Sequence, residues 1–141
     1  MRTDSTENYI CTWRRWALLN KFDGLLEQIE QCLAQFNMPV YYGRSFAKAN
    51  DDWNYIVFNR QLINKTGTSR CDINYQYQVH IIMENYIDEG FEIQVIKALQ
   101  DDVRLKLTGQ GQFNYVTKGQ TDTVVEMLTL TFTRTSKGIE L

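Results

Sequence analysis

The sequence has few of the residues that divide a chain into domains or build chemical sites. It contains one proline in 141 residues, so no proline-rich linker separates two domains. Its three cysteines, Cys11, Cys32 and Cys71, form no CxxC pair, so neither a zinc site nor a redox motif is indicated. We therefore expect a single domain over residues 1–141, with reduced thiols in a cytosolic setting.

Histidine is as rare as proline, since His80 is the only one in the chain. Nucleophilic catalysis needs a base beside its nucleophile, and Cys71 is too far from His80 along one strand. Metal ligation would need more His or Cys, or a tight carboxylate cluster. The GQG at residues 109–111 lacks the GK[ST] ending of a phosphate loop. The sequence therefore predicts no metal, no cofactor and no enzymatic activity, with His80 solvated or structurally hydrogen-bonded.

A charge excess and a long apolar run are missing as well. Fifteen Lys and Arg residues against 17 Asp and Glu give a net charge of −2, whereas a general nucleic-acid binder usually carries a basic excess. No stretch approaches the ~20 apolar residues that a membrane helix needs. We expect neither membrane association nor general nucleic-acid binding.

The patterns that are present are those of two helices and several strands. Apolar residues recur every three or four positions from Trp13 to Phe36, and again at residues 91–100, where Asp88 is the expected N-cap. Alternation of period two predicts strands at residues 40–43, 51–59 (with 61–63 as an extension past a bend), 71–84, 103–108 and 123–134.

This order of elements predicts an α+β fold. It consists of a two-layer sandwich, with a mainly antiparallel sheet of about five strands and both helices packed on one face. Residues 1–12 form an N-terminal extension, the glycine-rich residues 109–122 a long hairpin arm, and residues 136–141 a C-terminal tail.

Two of the predicted strands carry a row of uncharged polar residues opposite their apolar face. Thr129, Thr131 and Thr133 form it on the last strand, and Gln76 and Gln78, with His80, on the strand at 71–84. Two helices can cover only one face of such a sheet. The row is therefore either a partner surface or a solvated face, and the sequence leaves both open.

Glu126 lies on the apolar side of the last predicted strand. A carboxylate at such a position needs a partner or water. We expect it to mark the exposed end of the strand or to pair with an arginine such as Arg104 or Arg134.

Arginines and tryptophans are combined at Trp13, Arg14, Arg15 and Trp16. These residue types are favoured at interface hot spots, and aromatic residues interleaved with arginines also bind single-stranded nucleic acid. Alternatively, the tryptophans cover the first helical turns while the arginines are solvated. The sequence alone does not choose among a subunit contact, a nucleic-acid contact and a structural role.

The order of these segments resembles a known family. An amphipathic helix precedes the strand WNYIVFN, a Gly/Ser/Thr loop, YQYQVHIIME leading into a helix, a glycine-rich arm and the final strand VEMLTLTFTR. Over about residues 20–135 the chain resembles the tail terminator, or tail completion, proteins of long-tailed bacteriophages, which join head and tail at the neck. The resemblance rests on element order and strand composition rather than on an invariant motif.

The resemblance implies a virion protein that is assembled in the host cytoplasm and forms a closed ring, usually a hexamer. The ring would sit on the last layer of tail-tube subunits, stop polymerisation and offer a surface to the head-side connector or stopper protein. DNA would only pass through its lumen. The residues expected to contact neighbouring subunits or the tail tube are Trp13, Arg14, Arg15, Trp16, Lys65, Arg70, Gln76, Gln78, Gly109, Gln110, Gly111, Phe113, Tyr115, Lys118, Thr129, Thr131 and Thr133.

Two other interpretations remain. The chain could be another head-tail connector or the tail-tube subunit itself. It could instead be a cytosolic α+β domain that binds a small ligand, with Tyr75, Tyr77 and the helices lining a pocket.

Overall fold

The computed structural model describes residues 24–65 and 73–136. Helices and strands follow one another there in the predicted order. In chain order they are α1 (Leu25–Ala34), β1 (Val40–Tyr42), β2 (Asn54–Lys65), β3 (Ile73–Glu84), α2 (Phe91–Val103), β4 (Lys106–Thr117) and β5 (Val124–Ser136).

The five strands form one sheet in the order β1-β2-β3-β5-β4. β1 runs parallel to β2, and every other neighbouring pair is antiparallel. Buried residues of α1 and α2 form a single core with alternate residues of β2, β3 and β5, so both helices pack on one face of the sheet. The predicted α+β fold is confirmed. We call the covered side the helix face and the opposite side the open face.

α1 buries the stripe that its spacing predicts. Leu26, Ile29 and Leu33 recur at intervals of three and four, and all three are buried in the core. The N-cap is Gly24, which supplies no side-chain capping bond. The earlier part of the predicted helical pattern, from Trp13 onwards, lies outside the described residues.

α2 begins at Phe91, where its apolar pattern begins, but it has a different N-cap and ends later than the sequence pattern predicts. Asp88 as its N-cap is wrong: the N-cap is Gly90, and the Asp88 carbonyl accepts a turn hydrogen bond from the Phe91 N–H. Gly90 has a φ of 96°, a left-handed conformation that glycine adopts without the steric cost of a Cβ. The helix continues to Val103 because that residue is buried in the core, and Arg104 ends it with a φ of 62°.

β4 occupies most of the segment that was expected as a hairpin arm. The strand predicted at 103–108 starts only at Lys106, because α2 includes its first residue and Arg104 caps the helix. From there β4 continues to Thr117 and pairs with β5. The residues expected as a hairpin arm thus belong to β4 as far as Thr117, and those from Gln112 to Thr117 are paired with β5.

A bulge explains the glycines of β4. The pairing with β5 shifts register between Thr108 and Gln112, so three residues of β4 lie against Leu130 alone. Gly109 has a φ of 66°, where a side chain would be strained. A Cβ on Gly111 would lie 3.0 Å from Leu130 Cδ2. These glycines therefore serve the geometry of the sheet rather than the mobility of an arm.

Candidate assembly surface

The open face carries the polar row that the sequence predicts. In the antiparallel register, three pairs build it: Gln76 with Thr133, Gln78 with Thr131, and His80 with Thr129. Directly opposed residues of neighbouring strands share a face, and the alternate residues between them belong to the core on the helix face. The structure thus brings together two columns of uncharged hydrogen-bonding side chains, all partly exposed.

His80 is held in this row by hydrogen bonds at both ring nitrogens. Its Nε2 lies 3.0 Å from Asn59 Oδ1, and its Nδ1 lies 3.0 Å from Thr129 Oγ1. Asn59 also donates from Nδ2 to Gln78 Oε1 at 3.3 Å. Since the Asn59 oxygen can only accept, Nε2 carries the proton and Nδ1 accepts from the Thr129 hydroxyl. Burial lowers the pKa of His80 from its ordinary value, which favours this neutral form.

Beyond His80 the open face becomes apolar. Val57, Ile82 and Val125 form a second buried cluster, against which Tyr55 and Met127 pack. A shallow groove of about 230 Å³ lies at the boundary, lined by this apolar region together with Ser45, His80 and Thr129. The open face therefore presents a partly exposed polar row beside an apolar cluster that is already buried, with Tyr41 and Trp53 of the same chain packed against it.

The sheet also has two edges on which no described strand pairs. On one side β1 is the last strand of the sheet, and it pairs only with Ile56, Val57 and Phe58. Residues 60–65 of β2 extend beyond β1, and we call their outer side the β2 edge. β4 is the last strand in the sheet order, and we call its outer side the β4 edge. The two edges lie on opposite sides of the sheet. Such an edge presents backbone N–H and C=O groups to which another strand can bind.

Both edges expose apolar side chains on both faces of the sheet. The register places Leu62 of β2 and Val116 of β4 on the open face. It places Ile63 of β2, with Phe113 and Tyr115 of β4, on the helix face. Their exposed fractions run from 42% for Leu62 to 57% for Tyr115. Lone exposed apolar residues are common, but five of those seen here lie where no described strand pairs.

Glu126 connects the β4 edge to the body of the domain. Its Oε2 accepts a hydrogen bond from the Tyr115 hydroxyl at 2.7 Å, and its Oε1 accepts one from the Ile87 N–H at 2.7 Å. The expectation of an exposed strand end or an arginine partner is wrong, because the carboxylate is buried and Arg134 donates to the Val103 carbonyl instead. The hydrogen bond to Glu126 raises the pKa of the Tyr115 phenol, because the carboxylate opposes loss of the shared proton.

Lys118 holds the turn between β4 and β5. Its Nζ lies 2.7 Å from Glu84 Oε2 and donates to the Asp51 carbonyl, and it sits 5.6 Å from the centroid of the Trp53 ring. The bonds from Lys118 and from the Trp53 N–H lower the pKa of Glu84. Lys118, which the resemblance places at an interface, is thus engaged within its own chain.

The other residues expected at interfaces fall in three places. Lys65 is exposed at the end of β2. The bulge and the strand after it hold Gly109, Gln110, Gly111, Phe113 and Tyr115. Outside the described residues lie Trp13, Arg14, Arg15, Trp16 and Arg70. The structure therefore gathers the Gln and Thr positions on one face and the β4 positions on a separate edge.

The alternative ligand pocket gains no support from its two tyrosines. Tyr77 is buried in the core, and Tyr75 stacks beside it with ring centroids 6.3 Å apart. Neither tyrosine lines the groove on the open face.

Cys32 of α1 lies beside Asp102 of α2. Its buried thiol lies 3.7 Å from Asp102 Oδ2, and burial together with that carboxylate raises its pKa to about 12. The thiol is therefore protonated at neutral pH and is a weak nucleophile. Within the described ranges, no group of three or more His, Cys, Asp or Glu residues could hold a metal ion, and no helix is long and apolar enough to cross a membrane.

Sequence reasoning missed Asn59 and the exposed apolar residues Leu62, Ile63 and Val116. Register shifts between Arg60 and Leu62, so the alternation of β2 restarts one residue late. A search for period-two alternation that permits one extra residue would have predicted β2 as far as Lys65, and with it the β2 edge.

Two comparisons with known proteins identify no relative. No protein-family model matches this chain, and no curated protein matches it.

Proposed function

We propose that this protein is a tail terminator of a long-tailed bacteriophage. In this role it forms a ring in the neck of the virion, caps the tail tube, stops its polymerisation and joins the tail to the head connector. The α+β fold supports the proposal, because it is the fold that the resemblance in element order implies. The observation that carries it is the open face, where an uncharged polar row adjoins an apolar cluster and neither described helix packs.

The chemistry of the row suits a surface that becomes buried. Burying a Thr or Gln side chain away from water costs less free energy than burying Lys or Glu, because Thr and Gln carry no charge. The cores of protein interfaces are likewise depleted in charged residues. A sheet face that meets only water would gain solubility from Lys and Glu, yet the three pairs of the row contain neither. We therefore assign the open face to the contact with the last layer of tail-tube subunits.

A ring places further demands on the same chain. Its subunits contact one another head to tail, so each must carry two different complementary patches besides the surface that stacks on the tube. The open face and the two edges together supply three distinct surfaces. The net charge of −2 also suits a lumen through which DNA moves without being held.

Electron microscopy with the cognate tail-tube protein tests the proposal. We expect the purified chain to form rings, to appear at tube ends and to shorten tubes when it is present during polymerisation. Thr131→Lys places a charge in the centre of the row and should abolish tube capping while the protein stays folded. Ile93→Lys introduces the same charge at an exposed site on α2 and should leave capping intact.

Other outcomes would replace the proposal. If the chain extends tubes by itself, it is a tube subunit. If it binds the head connector but never a tube end, it is another connector. If Thr131→Lys caps tubes as well as the wild type does, the open face is not the tube contact. A monomer that binds a small ligand but neither the tail tube nor the head connector would refute the structural role.

A further inference from the structure

Three exposed aromatic side chains lie together where β4 meets the loop between β3 and α2. Phe113 and Tyr115 of β4 are 45% and 57% exposed on the helix face, and Tyr86 of the loop is 55% exposed. Glu126 joins strand and loop, because it accepts hydrogen bonds from the Tyr115 hydroxyl and from the N–H of Ile87, the residue after Tyr86. Besides the bond to Glu126, which has the largest effect, the nearby Tyr86 phenol raises the pKa of Tyr115. We call Tyr86, Phe113 and Tyr115 the aromatic patch.

The backbone holds Tyr86 in an unusual conformation. Asn85 has a φ of 58° and Tyr86 a φ of 76°, in the left-handed region that a bulky aromatic residue rarely adopts. Such strain persists only where the surrounding structure enforces it. Here the Asn85 N–H donates to the Val124 carbonyl at 2.8 Å, and the Ile87 N–H donates to Glu126 at 2.7 Å. The loop is therefore fixed on both sides of Tyr86, whose ring is presented to solvent from an anchored backbone.

The two segments that carry the aromatic patch hold only negative charges. Asp88 and Glu89 are exposed in the loop, and Glu92 follows in the first turn of α2. No Lys or Arg occurs from residue 85 to 96, and residues 107–117 of β4 carry no charge. These segments therefore combine exposed aromatic rings with negative charge that neither segment balances.

We propose that the aromatic patch binds an arginine-bearing segment of a partner protein. A guanidinium group stacks on the face of an aromatic ring and forms paired hydrogen bonds with a carboxylate, whereas a lysine ammonium acts as a point charge. The rings of Tyr86 and Tyr115 supply the stacking surfaces, and Asp88 and Glu89 supply the carboxylates. An acidic partner would be repelled by these carboxylates, and a wholly apolar one would leave them without a counter-charge. The inference needs neither the ring nor the phage tail, so it goes beyond the proposed function.

A short fluorescein-labelled peptide of alternating glycine and arginine tests this surface on the purified full-length protein. We expect fluorescence anisotropy to show binding, and the same peptide with lysine in place of arginine should bind more weakly. Tyr86→Ala should weaken binding of the arginine peptide about two- to fivefold, which corresponds to one cation–π contact at an exposed site. Tyr86→Phe keeps a ring and should bind like the wild type. Phe46→Ala removes a ring of the same 55% exposure, which contacts Tyr41 rather than the aromatic patch, and should change nothing.

The negative charge has a matched control of its own. Glu89→Gln removes an exposed charge beside the aromatic patch and should weaken binding of the arginine peptide. Asp101→Asn removes an equally exposed charge near the other end of α2 and should leave binding unchanged.

Several results would overturn the inference. It fails if the wild type does not bind the arginine peptide, or if the lysine peptide binds as tightly. It also fails if Tyr86→Ala and Phe46→Ala weaken binding equally, because the attraction is then diffuse. Should circular dichroism show that Tyr86→Ala is unfolded, Phe113→Ala removes a neighbouring ring and must produce the same loss. Rings that cap tubes but do not bind the peptide would refute this inference alone, while a chain that binds the peptide but never a tube end would refute only the proposed function.

Discussion

His80 illustrates how one residue links the polar row to the pH dependence of folding. Its neighbours Asn59 and Thr129 are uncharged, and burial keeps its pKa below the ordinary 6.5. As pH falls below 6.5, His80 binds a proton in the unfolded chain but not yet in the folded chain. The stability that is present above that value is therefore lost as pH falls through the folded-state pKa. We expect chemical denaturation to show a smaller loss of stability between neutral pH and about pH 5 for His80→Gln than for the wild type.

The measurement is specific because the chain contains no other histidine. Carboxylates that titrate at the acidic end of this pH range affect the stability of both proteins, so their effect cancels in the difference between the two pH profiles. Equal pH profiles for the wild type and His80→Gln would contradict the burial of this imidazole.

At the scale of elements, the bulge of β4 can be tested at Gly109. A non-glycine residue with its φ of 66° costs about 1–2 kcal/mol, although open space surrounds the missing Cβ. Gly109→Ala should therefore lower the free energy of unfolding by about that amount in urea denaturation. Gly109→Asn should cost less, because Asn tolerates the left-handed region.

Gln110→Ala is the matched control, since it changes an exposed neighbour in the same bulge. Surface substitutions of this kind usually stay within about 0.5 kcal/mol of the wild type. If Gly109→Ala were as neutral as Gln110→Ala, the left-handed conformation would not exist in solution.

The sequence predicted the elements best where periodicity was strong. The alternation in β3 and β5 correctly gave both faces of the central sheet, including the polar row. It failed where local geometry interrupts the period, as at the bulges of β2 and β4. It also assigned the wrong N-cap to α2. Gly90 caps the helix without a side-chain hydrogen bond and leaves no signal in the sequence, whereas Asp88 has the residue type that usually caps a helix.

At the scale of the whole molecule, the ring of the proposed function predicts that stability depends on concentration. A contact made only by folded chains stabilises them by mass action, and each tenfold rise in free partner above Kd adds about 1.4 kcal/mol. For a chain of this length that corresponds to an increase of about 4 °C in the thermal midpoint. Scanning calorimetry of the wild type over a range of concentrations should show this rise, and Val116→Glu should show none.

A wild-type midpoint that is independent of concentration would indicate that copies of the chain do not associate in solution. Equal slopes for the wild type and Val116→Glu would mean that association uses another surface.

The salt bridge between Lys118 and Glu84 has a mechanical consequence. It anchors one end of β4, and the bulge at Gly109 fixes the strand nearer its other end. A slip by a single position along β5 would move Val116 and its neighbours to the wrong faces. Force directed along β4 must break the ion pair or flatten the bulge before the strand can slide, so the strand resists shear at both of these points.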